Sequence, residues 1–186
     1  MKRIFLFLLA VCCLLTLPGC GRNRAAERRE AFAAALRERR DLGFTADLRA
    51  EYADRTAALK LRYEEDGEGC TLRVLEPESI AGVAVHLDEA GAQLSLEELK
   101  LDVGPLDRWG LSPVSALPAL TKALREGHLE SAWTEDGLTV WELAADDRLT
   151  VQVWLDEDLI PQRAELRSDG RVGVFVEISE WTDNEE

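Results

Sequence analysis

Carboxylates are the commonest groups able to do chemistry in this 186-residue chain. They gather at Glu64-Glu65-Asp66, Asp88-Glu89, Asp146-Asp147 and Asp156-Glu157-Asp158. A pair facing across a cleft would suit glycoside hydrolysis, one group acting as acid and the other as base or nucleophile. A tighter group would suit Ca²⁺, but none has EF-hand spacing. Every cluster falls at a turn between strand-like segments, where solvated acids are expected. The two histidines, His86 and His128, lie in different segments without metal-ligand spacing. His86 alternates with Val85 and Leu87, which points it outward. No Gly-x-Ser-x-Gly, His-Glu-x-x-His or phosphate-cradling glycine loop occurs. The residues predict no metal, no cofactor and no catalytic centre.

The thiols are more informative. Lys2 and Arg3 are followed by an apolar run from Ile4 to Leu17, interrupted only by Thr16. The run is too short to span a bilayer comfortably and too apolar for a surface helix. It ends in Leu17-Pro18-Gly19-Cys20, which resembles the signal of bacterial lipoproteins: hydrophobic, small, small, Cys. Pro18 is the less usual member of that pattern. The resemblance implies a diacylglycerol on the Cys20 sulfur and cleavage just before it. The alternative is a plain secretory signal with Cys20 as a bystander. Either way the chain is expected on the extracytoplasmic side. Gly21, rather than Asp, would permit transfer to an outer membrane in a Gram-negative cell. Cys12 and Cys13 leave with the leader, so Cys70 has no partner for a disulfide. It reads as a small core residue, or alternatively as a redox or dimer-forming thiol.

Charge is divided unevenly. The whole chain carries a formal −14, which excludes ordinary binding to nucleic-acid phosphates. Residues 20–42 hold seven arginines against four acids, whereas residues 43–186 hold 13 basic and 32 acidic residues. The basic stretch adjoins the anchor, where cations contact anionic headgroups at about 1 kcal/mol each. Ordinary i,i+4 pairing on a solvated helix is a compatible alternative.

Periodicity supplies the elements. Asn23–Arg40 has no Gly or Pro and reads as a helix with Ala25, Phe32 and Leu36 on one stripe. The period then becomes two. Phe44, Ala46, Leu48 and Ala50 alternate with polar residues, as do Leu59, Leu61 and Tyr63, then Cys70, Leu72 and Val74, then Val83, Val85 and Leu87. Leu94–Leu96 and Leu99–Leu101 give shorter extended pieces. Ser112-Pro113 can cap a helix whose Leu117, Leu120 and Leu124 form a stripe, provided Pro118 lies in its first turn. Five strands follow, with Glu135-Asp136-Gly137 and Ser168-Asp169-Gly170 as hairpin turns. The pattern predicts an α+β fold. Its core is a strongly curved antiparallel sheet of about 10–11 strands. This unclosed half-barrel has an N-terminal and a central helix on its concave face.

In this order of elements the chain resembles the LolA/LolB/RseB-like family of envelope proteins. Three phrases carry the likeness: Phe44-Thr45-Ala46-Asp47-Leu48, Leu75-Glu76-Pro77-Glu78-Ser79-Ile80-Ala81-Gly82-Val83, and Leu159-Ile160-Pro161-Gln162-Arg163-Ala164-Glu165-Leu166 before a closing hairpin. The resemblance implies a half-barrel with helices plugging its hollow, carrying acyl chains of lipoproteins or binding envelope partners. The soluble carrier of that family lacks an anchor, so this chain fits better an anchored lipoprotein.

Four segments follow: a signal peptide over 1–19, a lipid-anchored basic helix over 20–42, the half-barrel over 43–182 and an acidic tail over 183–186. The expected function is binding of a hydrophobic ligand, lipid or acyl chain, in the groove. The alternative is a lipid-tethered adaptor for an envelope or cell-wall enzyme, as in an amidase-partner germination lipoprotein. Groove candidates are Trp133, Trp141, Leu72, Val74, Val83, Val85, Val153, Val174 and Val176. For the tryptophans, ordinary sheet and core packing is the competing explanation. Trp154 is out of phase with Val151, Val153 and Leu155, which places it on the outer face or under a loop.

Overall fold

The computed structural model describes residues 20–39, 41–51, 56–104 and 111–183. The expected leader, Trp109 and the last three residues of the tail lie outside them. A helix α1 (Cys20–Glu38) opens the described chain, three residues earlier than the composition predicts. Strands β1 (Leu42–Glu51), β2 (Thr56–Glu65), β3 (Cys70–Glu76), β4 (Ala84–Asp88), β5 (Gly91–Leu96) and β6 (Leu99–Gly104) follow. Helix α2 (Pro113–Glu126) precedes β7 (His128–Glu135), β8 (Leu138–Ala144), β9 (Leu149–Leu155), β10 (Pro161–Ser168) and β11 (Arg171–Asp183).

All eleven strands form one antiparallel sheet in the order β6-β5-β4-β3-β2-β1-β11-β10-β9-β8-β7. The fold is α+β, with a curved sheet that does not close. Each half of the chain is a meander of neighbouring hairpins, and the halves join where β1 pairs with β11, Ala46 opposite Ile178 and Leu48 opposite Val176. The two-residue turns behave as their composition dictates. Asp136-Gly137 and Asp169-Gly170 both take positive φ at each residue, the backbone that matches the twist of a hairpin.

Alternation decides which face is apolar. Phe44, Ala46, Leu48 and Ala50 of β1 point inward, with Leu61 and Tyr63 of β2, Leu166 of β10, Val151 and Val153 of β9, and Val174 and Val176 of β11. Helices cover this face. From α2 come Ala116, Leu117, Leu120, Ala123 and Leu124, and from α1 Leu36 with Phe32 beside it. Ser112 caps α2 in a reciprocal capping box with Ser115. Pro118 lies inside that helix, beyond the first turn where it was expected. Proline there removes a backbone bond. The buried leucine stripe on either side holds the helix together across that break.

The two helices exchange arginines. Arg29 of α1 donates to the carbonyls of Ala123 (3.1 Å) and Gly127 (2.9 Å) at the end of α2. Arg125 of α2 donates from Nε to the carbonyl of Leu36 (3.1 Å) in the last turn of α1. Each cation thus meets the negative end of the other helix, where orphan carbonyls accept it. Gly127 is required by close approach rather than by its φ of −60°. A Cβ there would sit 2.5 Å from the Ala123 oxygen. Gly127→Ala is therefore expected to destabilise the fold by about 2 kcal/mol, as overpacking does; urea denaturation measures it.

Candidate functional site

The inner face divides into a covered and an uncovered part. On the β8–β11 side the helices seal it. Trp141 is 1% exposed, edge-on to Phe32 with ring centroids 5.4 Å apart, and Val153, Val174, Val176 and Leu72 are equally buried in the core. The structure thus buries these five groove candidates, four on the β8–β11 side and Leu72 in β3 where the core meets the β3–β6 side. Trp133 lies on the other face, 37% exposed, with its Nε1–H donating to Glu135 at 3.3 Å. Val74, Val83 and Val85 lie on the β3–β6 side.

There the register builds an apolar floor. Leu72 pairs with Val85, Val85 with Leu94, and Leu94 with Leu101, so these side chains share the inner face. Leu96 pairs with Leu99 one step further along. Leu96, Leu99 and Leu101 remain 40%, 66% and 56% exposed. The adjoining inward row, Cys70, Leu87 and Ala92, leads into a cleft of about 830 Å³ at the ends of both helices. Arg37, Tyr63, Glu65, Lys122 and Arg125 also line that cleft. The four leucines of β5 and β6 are absent from the sequence-based candidates. Their Leu-x-Leu spacing is the signal that identifies them, once the register shows which strands the helices leave bare.

A polar network walls the cleft. Arg125 binds both Glu65 oxygens, at 2.7 Å from its Nη1. The Tyr63 hydroxyl donates to Glu65 at 3.0 Å and meets Thr121 Oγ1 at 3.1 Å. Burial chiefly, with Glu65 nearby, raises the Tyr63 pKa far above its ordinary value. Burial also pushes the Cys70 thiol up to about 11. These groups tie α2 to β2 along the wall of the cleft.

The carboxylate clusters find a structural use. One aspartate in each accepts backbone N–H groups of its own turn. Asp66 receives Glu68 and Gly69, Asp88 receives Ala90 and Gly91, Asp146 receives Arg148 and Leu149, and Asp156 receives Asp158 and Ile160, all at 2.8–3.1 Å. Such bonds stabilise the ionised form and fix the turn. They hold the Asp146 carboxyl below its ordinary value, chiefly through Arg148 N–H. His86 is half-buried and within 3.1 Å of Thr71 Oγ1. Among the described residues no group of three or more His, Cys, Asp or Glu could hold a metal ion.

The outer face carries a second cleft, of about 610 Å³. Trp154 and Phe175 form its aromatic part. Arg163 lies 4.5 Å over the Trp154 ring and Arg49 4.7 Å over Phe175. Glu135 accepts from Trp154 Nε1 and from Arg163, both at 3.2 Å. Trp154 is therefore outward, as its phase predicts.

No protein-family model matches this chain, and no curated protein matches it. Solved structures do. One is a LolA superfamily protein from Nitrosomonas europaea, at 14% identity over 87% of this chain and 94% of that one, TM-score 0.46. Another is an uncharacterized conserved protein from Thermus thermophilus, at 12% identity over 87% and 89%, TM-score 0.49. A third is a putative outer membrane lipoprotein-sorting protein domain from Vibrio parahaemolyticus, at 14% identity over 87% and 95%, TM-score 0.46.

The Cys70 thiol carries a pH signature. Its folded value of about 11 exceeds the ordinary 9.0, so folding holds the proton. That contribution is complete below pH 9 and is lost as pH rises toward 11. Stability by urea denaturation should fall across this window, and less steeply in Cys70→Ala; equal slopes would exclude Cys70 as a source.

Proposed function

We propose that this protein is an extracytoplasmic lipoprotein, held to a bacterial membrane through Cys20, that binds a lipid or lipoprotein acyl chain on the bare part of its inner face. The carrying observation is the row Leu94, Leu96, Leu99 and Leu101, which continues the core's inner face beyond the helices and stays exposed in part. An acyl chain laid along it gains roughly 0.8 kcal/mol per buried methylene, without directional bonds. The cleft beside Tyr63, Glu65 and Arg125 supplies the polar end for a headgroup or protein backbone.

The reading of Cys20 rests on the Leu17-Pro18-Gly19-Cys20 pattern and on the arginines that follow it. Helix α1 begins at Cys20 itself, and among the described residues no helix is long and apolar enough to cross a membrane. Lipid would then hang from the first turn of the helix that plugs the hollow.

The adaptor reading has its own observation. The outer cleft mixes aromatic rings with both signs of charge, a surface suited to a polar protein partner. It places the partner on the face opposite the leucines.

Native mass spectrometry of the chain carrying Cys20→Ser tests the ligand reading. A co-purifying acyl lipid is expected, and Leu96→Glu should weaken its binding about tenfold by placing a charge against the chain. An empty protein, with an envelope enzyme captured through the outer face, would favour the adaptor. In cells, Cys20→Ala should release the protein from membranes into the soluble fraction; full retention would refute the anchor.

A further inference from the structure

We propose that the inner-face site selects its ligand by head charge: it takes an acyl chain whose head is cationic or without net charge, and it rejects one whose head is anionic. The inference rests on the acyl-chain reading above and adds the chemistry of the ligand's other end.

Both ends of the bare floor are acidic. Strands β2 to β6 alternate in direction, so the β3–β4 connection and the β5–β6 turn lie at one end, and the β2–β3 and β4–β5 turns lie at the other. At the first end Leu96 and Leu99 pair across the turn Glu97-Glu98, and both leucines are exposed. Glu97, Glu98 and Glu78 of the β3–β4 connection are exposed there too. None of the three forms an ion pair among the described residues.

The cations nearest in sequence turn away from the floor. Arg73 and Lys100 belong to the cross-strand row Arg73, Ala84, Ser95 and Lys100. That row is one residue out of phase with the row Leu72, Val85, Leu94 and Leu101. Successive side chains point to opposite faces, so these two cations belong to the outer face while the leucines belong to the inner one.

The second end is the cleft beside Tyr63, where five carboxylates and four cations line the walls. Most of those cations are already engaged. Arg125 holds both oxygens of Glu65, and Arg37 reaches Glu30 outside the cleft. Arg39 has a partner as well. Lys122 is left against Glu68 and Glu89, neither of which forms an ion pair among the described residues. At either end, therefore, a head meets more negative charge than positive, and the chain's formal −14 adds a field of the same sign. The leucines favour any acyl chain equally. The head then decides between ligands of equal length, because an anionic head is repelled and an ammonium is attracted.

Isothermal titration calorimetry of the full chain carrying Cys20→Ser tests this with lauroyl probes below their micelle concentrations: lauroylcholine (cationic), lauroyl lysophosphatidylcholine (no net charge) and lauroyl lysophosphatidylglycerol (anionic). At low ionic strength the anionic probe should bind at least about tenfold more weakly than the other two. The gap should close to within about twofold near 1 M salt, where the Debye length is about 3 Å. Glu97→Lys with Glu98→Lys, or Glu68→Lys with Glu89→Lys, should narrow the gap by at least about threefold, and the pair that does so marks the end holding the head. The neutral probe should keep its affinity within about twofold in both variants, which separates charge from damage to the fold. If the neutral probe binds and the anionic one binds as tightly, if salt leaves the gap unchanged, or if neither double change narrows it, the head preference is overturned and the acyl-chain reading stands. Binding of none of the probes would overturn both.

Discussion

A sheet of eleven strands with one apolar face has to keep that face from water, and two helices are narrower than the sheet. Most features of this molecule follow from that mismatch. Curvature lets the sheet wrap its own side chains around α1 and α2, and the core forms where helix leucines meet strand valines and leucines. Where the helices run out, over β5 and β6, the inward leucines stay partly in water. Burial is worth about 25 cal/mol per Å², so such a surface invites a cover. The acyl chain proposed above is one such cover.

The covered part is held by charge as well as by packing. Arg29 and Arg125 each terminate the other helix, and Glu65 then fixes Arg125 to β2. Burial costs the Arg29 guanidinium solvation and lowers its pKa, and its Nε finds no partner. The carbonyls of Ala123 and Gly127 offset that cost, since a charged donor at a helix C-terminus is favoured. The two plugging helices are thereby bound to each other as one unit.

Acidity has a local explanation and a global consequence. Each carboxylate cluster places one aspartate on the N–H groups of its own turn, so these acids fix the connections between strands. Elsewhere they sit on the outer face in pairs such as Lys60 with Asp47 and Arg167 with Glu165. The chain's formal −14 leaves an excess of negative charge that makes its field repel other anions.

Strands, hairpin turns and the α+β class were legible in the sequence because each depends on neighbours within a few residues. Period-two alternation fixes which side chains share a face, Asp-Gly fixes a turn, and a Ser-Pro start fixes a helix cap. The clusters of aspartate at turns were legible for the same reason. Three things were decided only by tertiary structure, because they depend on strands far apart in the chain. The pairing of β1 with β11 chose which residues meet in the middle of the sheet. The path of α2 chose which inward residues are sealed, burying Trp141, Val153 and Val174 while leaving Leu99 and Leu101 bare. Helix-end contacts between Arg29 and Ala123, 94 positions apart, have no periodic signature at all. Local pattern determines the face a side chain points to; only the packing of whole elements determines what, if anything, lies against it.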